Sequence, residues 1–187
     1  MKCDPICTDR INSFALVSYI PGALGDFLDG LRKELVAACN PHAHVTLLTP
    51  RPLDCDFDSG KEALAQRLDA FVPFQIDLLG VELFASTNVI YLGIGKGRTE
   101  MEEMHKTLNS GPLWFDEPYP YHPHVTLAQG LDASAVPEML EYAKRRWQES
   151  APARSFAVDT LTFVQNTVEN RWVDLLAVEL TPVRVRR

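Results

Sequence analysis

Apolar and polar positions along the chain switch repeatedly between a strand-like and a helix-like period. Phe14-Ala-Leu-Val-Ser-Tyr-Ile20 is a compact apolar run rich in strand formers and closed by Pro21-Gly22, which predicts a buried strand. From Gly25 to Ala38, residues Phe27, Leu28, Leu31, Leu35 and Ala38 recur at helical spacing on one face, and Asn40-Pro41 ends the helix. A short strand is expected over 44–48, stopped by Pro50 and Pro52. A second helix spans 61–71 through Leu64, Leu68 and Phe71. Over 74–84, Ile76, Leu78 and Gly80 alternate with Gln75, Asp77 and Leu79, the pattern of a strand with one wet face.

Val89 to Ile94 opens a second series. A helix over 99–108 follows, with Met101, Met104 and Leu108 on one face as core residues, then a loop carrying Pro112, Pro118 and Pro120. A strand over 124–128, a helix over about 134–148 and strands over 156–164 and 172–180 complete the chain. Laid over each other at an offset of 80 residues, the His44 strand falls on the His124 strand, the 74–84 strand on 156–164 and the intervening helices on each other, and the first strand and helix correspond with a shift of several residues. The expected fold is α+β: a single domain over 1–187 with two duplicated βαβαβ-like lobes, about 14–84 and 89–180, whose antiparallel or mixed sheets face a central cleft with helices outside. The last strand, 172–180, completes one sheet.

Composition adds limits. With 46% hydrophobic and 23% charged residues the whole chain should fold, and a net charge of −7 supplies no field for long nucleic acid. Lys144-Arg145-Arg146 and the tail residues Arg184, Arg186 and Arg187 read as a solvated helix face and a frayed end. Cys3, Cys7, Cys39 and Cys55 lack zinc-site spacing and read as reduced thiols, and no apolar run has the length of a signal peptide or a bilayer span. These features point to a soluble cytoplasmic monomer without a membrane partner.

The chemistry is concentrated in two matching segments, His42-Ala-His44-Val-Thr46-Leu47 and His122-Pro-His124-Val-Thr126-Leu127, which agree at five of six positions. Strand alternation sends His44 and Thr46 to one face and Val45 and Leu47 to the core. At about 3.3 Å of rise per residue, histidine and threonine stand roughly 7 Å apart, a span that frames one phosphoryl group. Imidazole exchanges protons near neutrality, so one ring can accept a proton while the other donates, and the threonine hydroxyls can hydrogen-bond the non-bridging oxygens. His44 and His124 are thus the candidate catalytic pair and Thr46 and Thr126 the candidate phosphate-binding pair, with no metal or cofactor required. The symmetric motifs do not distinguish base from acid; His124 is taken as the base. Tyr121 is a candidate for stacking on a base or for packing the loop, and Lys96 and Arg98 for holding a flanking phosphate or as solvated loop charge. His-x-His is also a metal-ligand spacing, so a His-ligated metal-dependent hydrolase stands as an alternative, as does a non-catalytic nucleotide or RNA-end binding module. His105 reads as structural.

The paired motifs, their strand context, the preceding Pro-x-x-His and Pro-His sequences and the two-lobed repeat resemble the 2H phosphoesterases, which include proteins called 2′-5′ RNA ligases and cyclic phosphodiesterases. The resemblance covers most of 14–180. It implies a bilobal α+β fold with His44, Thr46, His124 and Thr126 lining a groove, and hydrolase chemistry on 2′,3′-cyclic or 2′-5′ phosphodiester linkages of small nucleotides or RNA termini, as in RNA processing. The second motif continues into Gln129-Gly130 instead of the basic residue of similar bacterial proteins, which points away from strong RNA binding.

Overall fold

A computed structural model describes residues 9–37, 42–150 and 152–181. The expected helix stop at Asn40-Pro41, the cysteines Cys3, Cys7 and Cys39 and the arginine tail lie outside the described residues. The chain runs β1 (Arg10–Tyr19), α1 (Gly22–Leu35), β2 (His44–Arg51), α2 (Phe57–Leu68), β3 (Phe74–Phe84), β4 (Val89–Ile94), α3 (Arg98–Leu108), β5 (His124–Ala128), α4 (Val136–Ser150), β6 (Ser155–Val158), β7 (Thr160–Thr167) and β8 (Trp172–Glu179). No helix among these residues is long and apolar enough to cross a membrane.

Two four-stranded sheets form, ordered β2-β1-β7-β8 and β5-β4-β3-β6, and every pairing is antiparallel. The sheets exchange strands between the sequence halves: β3 joins the sheet of β4 and β5, while β7 and β8 join that of β1 and β2. The expected single strand over 156–164 is therefore two. The chain leaves one sheet after Val158 and enters the other at Thr160, with the Asp159 carbonyl accepting a bond from Leu180 N at 2.7 Å. Helices cross over as well, since α1 packs on β5 and α4 on β3, whereas α3 packs on β2 with α2 beside it.

Local sequence explains the elements. The first helix buries Leu24, Leu28, Leu31 and Leu35, and at Gly25 an added Cβ would stand 2.0 Å from the carbonyl oxygen of Ile20, the residue that follows β1. The second begins four residues earlier than periodicity predicts, because Asp56 caps it by accepting a hydrogen bond from Ser59 N at 2.9 Å. Met101 and Met104 are fully buried, as the stripe predicted. One continuous core cluster draws buried residues from both sheets, Leu16, Leu47 and Phe163 from one and Ile76, Leu92 and Leu127 from the other. Both active-strand candidates, β2 and β5, sit at sheet edges and lie against one another, which brings the two motifs to one place.

Candidate active site

Each motif obeys the strand alternation. Val45, Leu47, Val125 and Leu127 are buried, whereas His44, Thr46, His124 and Thr126 are half-buried on the opposite face. Directly after each threonine the register slips by one residue: Val17 pairs with Thr46 but Leu16 with Leu48, and Tyr91 pairs with Thr126 but Ile90 with Ala128. Leu47 and Leu127 are thus the extra residues of two equivalent β-bulges, devices that bend a strand and re-aim side chains beside a site. No compositional feature of the repeated His-Val-Thr-Leu signals them.

The histidines are held alike. His44 Nδ1 lies 2.6 Å from the His42 carbonyl and His124 Nδ1 lies 2.7 Å from the His122 carbonyl. A carbonyl only accepts, so each Nδ1 carries the proton and donates it, which leaves Nε2 of both rings as the nitrogen for proton transfer. Burial, opposed by the bond to the His42 carbonyl and reinforced by the positive charges of Arg32, His42 and His124, pulls the His44 pKa down to about 4. Burial also holds His124 below the ordinary histidine value, though by less. The two motif strands β2 and β5 lie against one another, and the charge of His124 is one of those acting on His44.

Each pair is backed by a tyrosine and a carboxylate that sequence reading missed. Tyr19 stacks on His42 at 3.5 Å and donates to Asp174 Oδ1 at 2.6 Å, while Tyr91 packs edge-on to His122 and His124 and donates to Glu82 Oε2 at 2.9 Å. Burial and the adjacent carboxylate raise both phenols, Tyr91 to about 12, so they remain protonated donors at neutral pH. The acids come from β8 and β3, strands remote in sequence from their motifs, so spacing could not reveal them.

A cleft of about 400 Å³ opens beside the pair, lined by Thr46, Thr126 and His124 together with Phe84, Tyr119 and Tyr121 among others. His44 is not part of that lining, and neither are Lys96 or Arg98. The Arg98 guanidinium instead pairs with Glu102 at 2.9 Å and reaches His122 Nδ1 at 3.4 Å. Tyr121 lies at the cleft, but its ring stacks on His105 at 3.8 Å and its hydroxyl donates to the Thr46 carbonyl at 2.7 Å. His105 is buried with Nδ1 2.8 Å from the Leu47 carbonyl. Behind them Glu117 forms an ion pair with the buried Arg51 and accepts from Thr49 Oγ1 at 2.7 Å, a network that no sequence motif announced. Among the described residues, no three His, Cys, Asp or Glu side chains come together as a metal-binding group.

Two antiparallel sheets that each present a His-x-Thr edge strand to a shared cleft define the two-histidine phosphoesterase class. The chain belongs to the 2′-5′ RNA ligase superfamily, whose family model matches residues 21–170. A Staphylococcus haemolyticus (strain JCSC1435) protein named "Putative phosphoesterase SH1944" is 32% identical over 90 residues, a match spanning 47% of this chain and 53% of that protein, about half its length. The fold is shared with E. coli LigT complexed with phosphate, at a TM-score of 0.60 and 16% identity over 93% of this chain and 98% of that one. It is equally shared with E. coli LigT complexed with 3′-AMP, at 0.60 and 19% identity over 93% and 99%.

Proposed function

We propose that this chain is a metal-independent phosphodiesterase that opens 2′,3′-cyclic phosphates, or 2′-5′ linkages, of small nucleotides or RNA ends by paired-histidine acid–base catalysis. The observation that carries the reading is the matched pair of Nδ1–carbonyl hydrogen bonds, which fixes one tautomer on both histidines. In hydrolysis, His44 Nε2 takes a proton from water as the water oxygen bonds to phosphorus, and His124 Nε2–H gives a proton to the ribose oxygen as its bond to phosphorus breaks. The Thr46 and Thr126 hydroxyls donate to the non-bridging oxygens as charge builds there. In this assignment His44 and not His124 is the base, because burial keeps His44 neutral down to about pH 4.

The cleft supports a small, singly phosphorylated substrate. The residues that line it include no Lys or Arg, which favours a substrate with a single phosphate. Phe84, Val89, Pro118 and Tyr119 offer apolar surface to a nucleoside. A nucleoside 2′,3′-cyclic monophosphate fits this balance.

Incubation with nucleoside 2′,3′-cyclic monophosphates and short 2′-5′ linked oligomers, followed by chromatography of products, tests the reading. The expected result is one phosphomonoester product at a rate that EDTA leaves unchanged. Activity lost in EDTA and restored by zinc would establish a metal-dependent hydrolase instead, and tight binding without product a binding module.

A further inference from the structure

We infer that Tyr121 and Arg32 form a reciprocal latch in which each lobe holds the other lobe's threonine carbonyl at its β-bulge, and that this latch sets the spacing between His44 and His124. The inference rests on the proposed paired-histidine reaction. Tyr121 stands in the second half of the chain, and its hydroxyl donates to the Thr46 carbonyl of the first motif at 2.7 Å. Arg32 stands on α1 in the first half, and its Nη1 donates to the Thr126 carbonyl of the second motif at 2.6 Å. The two acceptors are equivalent under the internal repeat, whereas the donors are not: a phenol from the loop before β5 makes one bond and a guanidinium from α1 the other.

The location gives the latch its leverage. Both motif strands are edge strands, held by hydrogen-bonded neighbours on one side only. Both bend at a bulge whose extra residue, Leu47 or Leu127, directly follows the latched threonine. A bulge interrupts the ladder, so the strand there is fixed less by its sheet than by what its outward carbonyls meet. Each histidine lies two residues before the latched carbonyl, so a shift of that carbonyl moves the ring on the same strand face. Neither donor is loose: Tyr121 is stacked on His105, whose Nδ1 lies 2.8 Å from the adjacent Leu47 carbonyl, and Arg32 issues from a helix that packs directly on β5.

Tyr121 and Arg32 are therefore positioning residues. Two general acid–base groups on separate lobes work together only while both reach one phosphorus, and a displacement of about 1 Å can cost on the order of 10²-fold in rate. Ground-state binding, which needs no such alignment, depends on the latch far less.

Tyr121→Phe removes one hydroxyl and keeps the ring stacked on His105. Expected results are a fall in kcat of roughly 10- to 100-fold with KM within about twofold. Affinity for a nucleoside–vanadate complex, which mimics five-coordinate phosphorus, should fall with kcat while affinity for the phosphomonoester product holds. Arg32→Leu should behave alike, and Arg32→Lys, which restores a donor, should recover much of the loss. An unchanged kcat in Tyr121→Phe, or a loss confined to KM, would overturn the latch and leave the phosphodiesterase reading intact. If the wild-type chain turns over none of these esters, that reading falls, and the latch is judged by the imidazole NMR signals of His44 and His124. Movement of both sets of signals in folded Tyr121→Phe supports it, and unchanged signals overturn it.

Discussion

Replacing either His44 or His124 with alanine should lower kcat toward a nucleoside 2′,3′-cyclic phosphate by about 10²- to 10⁴-fold, with little change in KM. In the proposed mechanism each ring makes one proton transfer through Nε2, its Nδ1 being committed to a carbonyl two residues earlier. The double variant should lose little more than the worse single one, because a base without an acid, or the reverse, leaves the displacement unassisted. Steady-state kinetics on folded protein checks this. Full activity in either single variant would remove that histidine from the mechanism. Both side chains are half-buried and neither belongs to the core cluster, so the fold should survive their loss.

A large loss of stability is expected at Glu117, a residue outside both sequence motifs. Glu117→Ala should destabilise the chain by about 3 kcal/mol, because it strips the buried Arg51 guanidinium of its charge partner. For a domain of this size that is a fall of about 6–12 °C in Tm. The arginine keeps the Asn109 side chain at 2.7 Å and the Leu113 carbonyl at 3.1 Å, which satisfy donors without neutralising charge. Thr49 Oγ1 would also lose its acceptor. Glu117→Gln, which keeps an acceptor in place, should cost less, and a Glu117→Ala melt within 2 °C of wild type, a margin set by about 1 kcal/mol, would show that the pair contributes nothing.

Much of this molecule was legible in its sequence, for definite reasons. A strand with an anchored apolar face cannot slip by one residue without burying its polar face, so His-Val-Thr-Leu fixes where His44, Thr46, His124 and Thr126 point. Duplication then made the pairing of the two motifs visible at a separation of 80 residues. What periodicity does not encode is the partner of a strand. Phe156 to Val164 reads as one apolar run because both of its parts are buried, yet they belong to different sheets. The same blindness hid Tyr19–Asp174 and Tyr91–Glu82, whose acids reach the site through pairings distant along the chain. Tyr121 was visible as a residue near the motif, but its role depends on a carbonyl 75 residues away. Arg98 was visible for its charge, which the fold spends on Glu102 and on His122, while Arg98 itself does not line the cleft.

The pH dependence of kcat/KM on a nucleoside 2′,3′-cyclic phosphate tests the paired-histidine account most directly, because it reports the essential base and acid of the unliganded protein. Protonation of His44 near its depressed value of about 4 removes the base, and deprotonation of His124 below the ordinary histidine value removes the acid. The account predicts a bell with a mildly acidic optimum between these limits, its acidic limb absent in the residual activity of His44→Ala and its alkaline limb absent in that of His124→Ala. A wild-type profile flat across that range, or both limbs persisting in either variant, would contradict it.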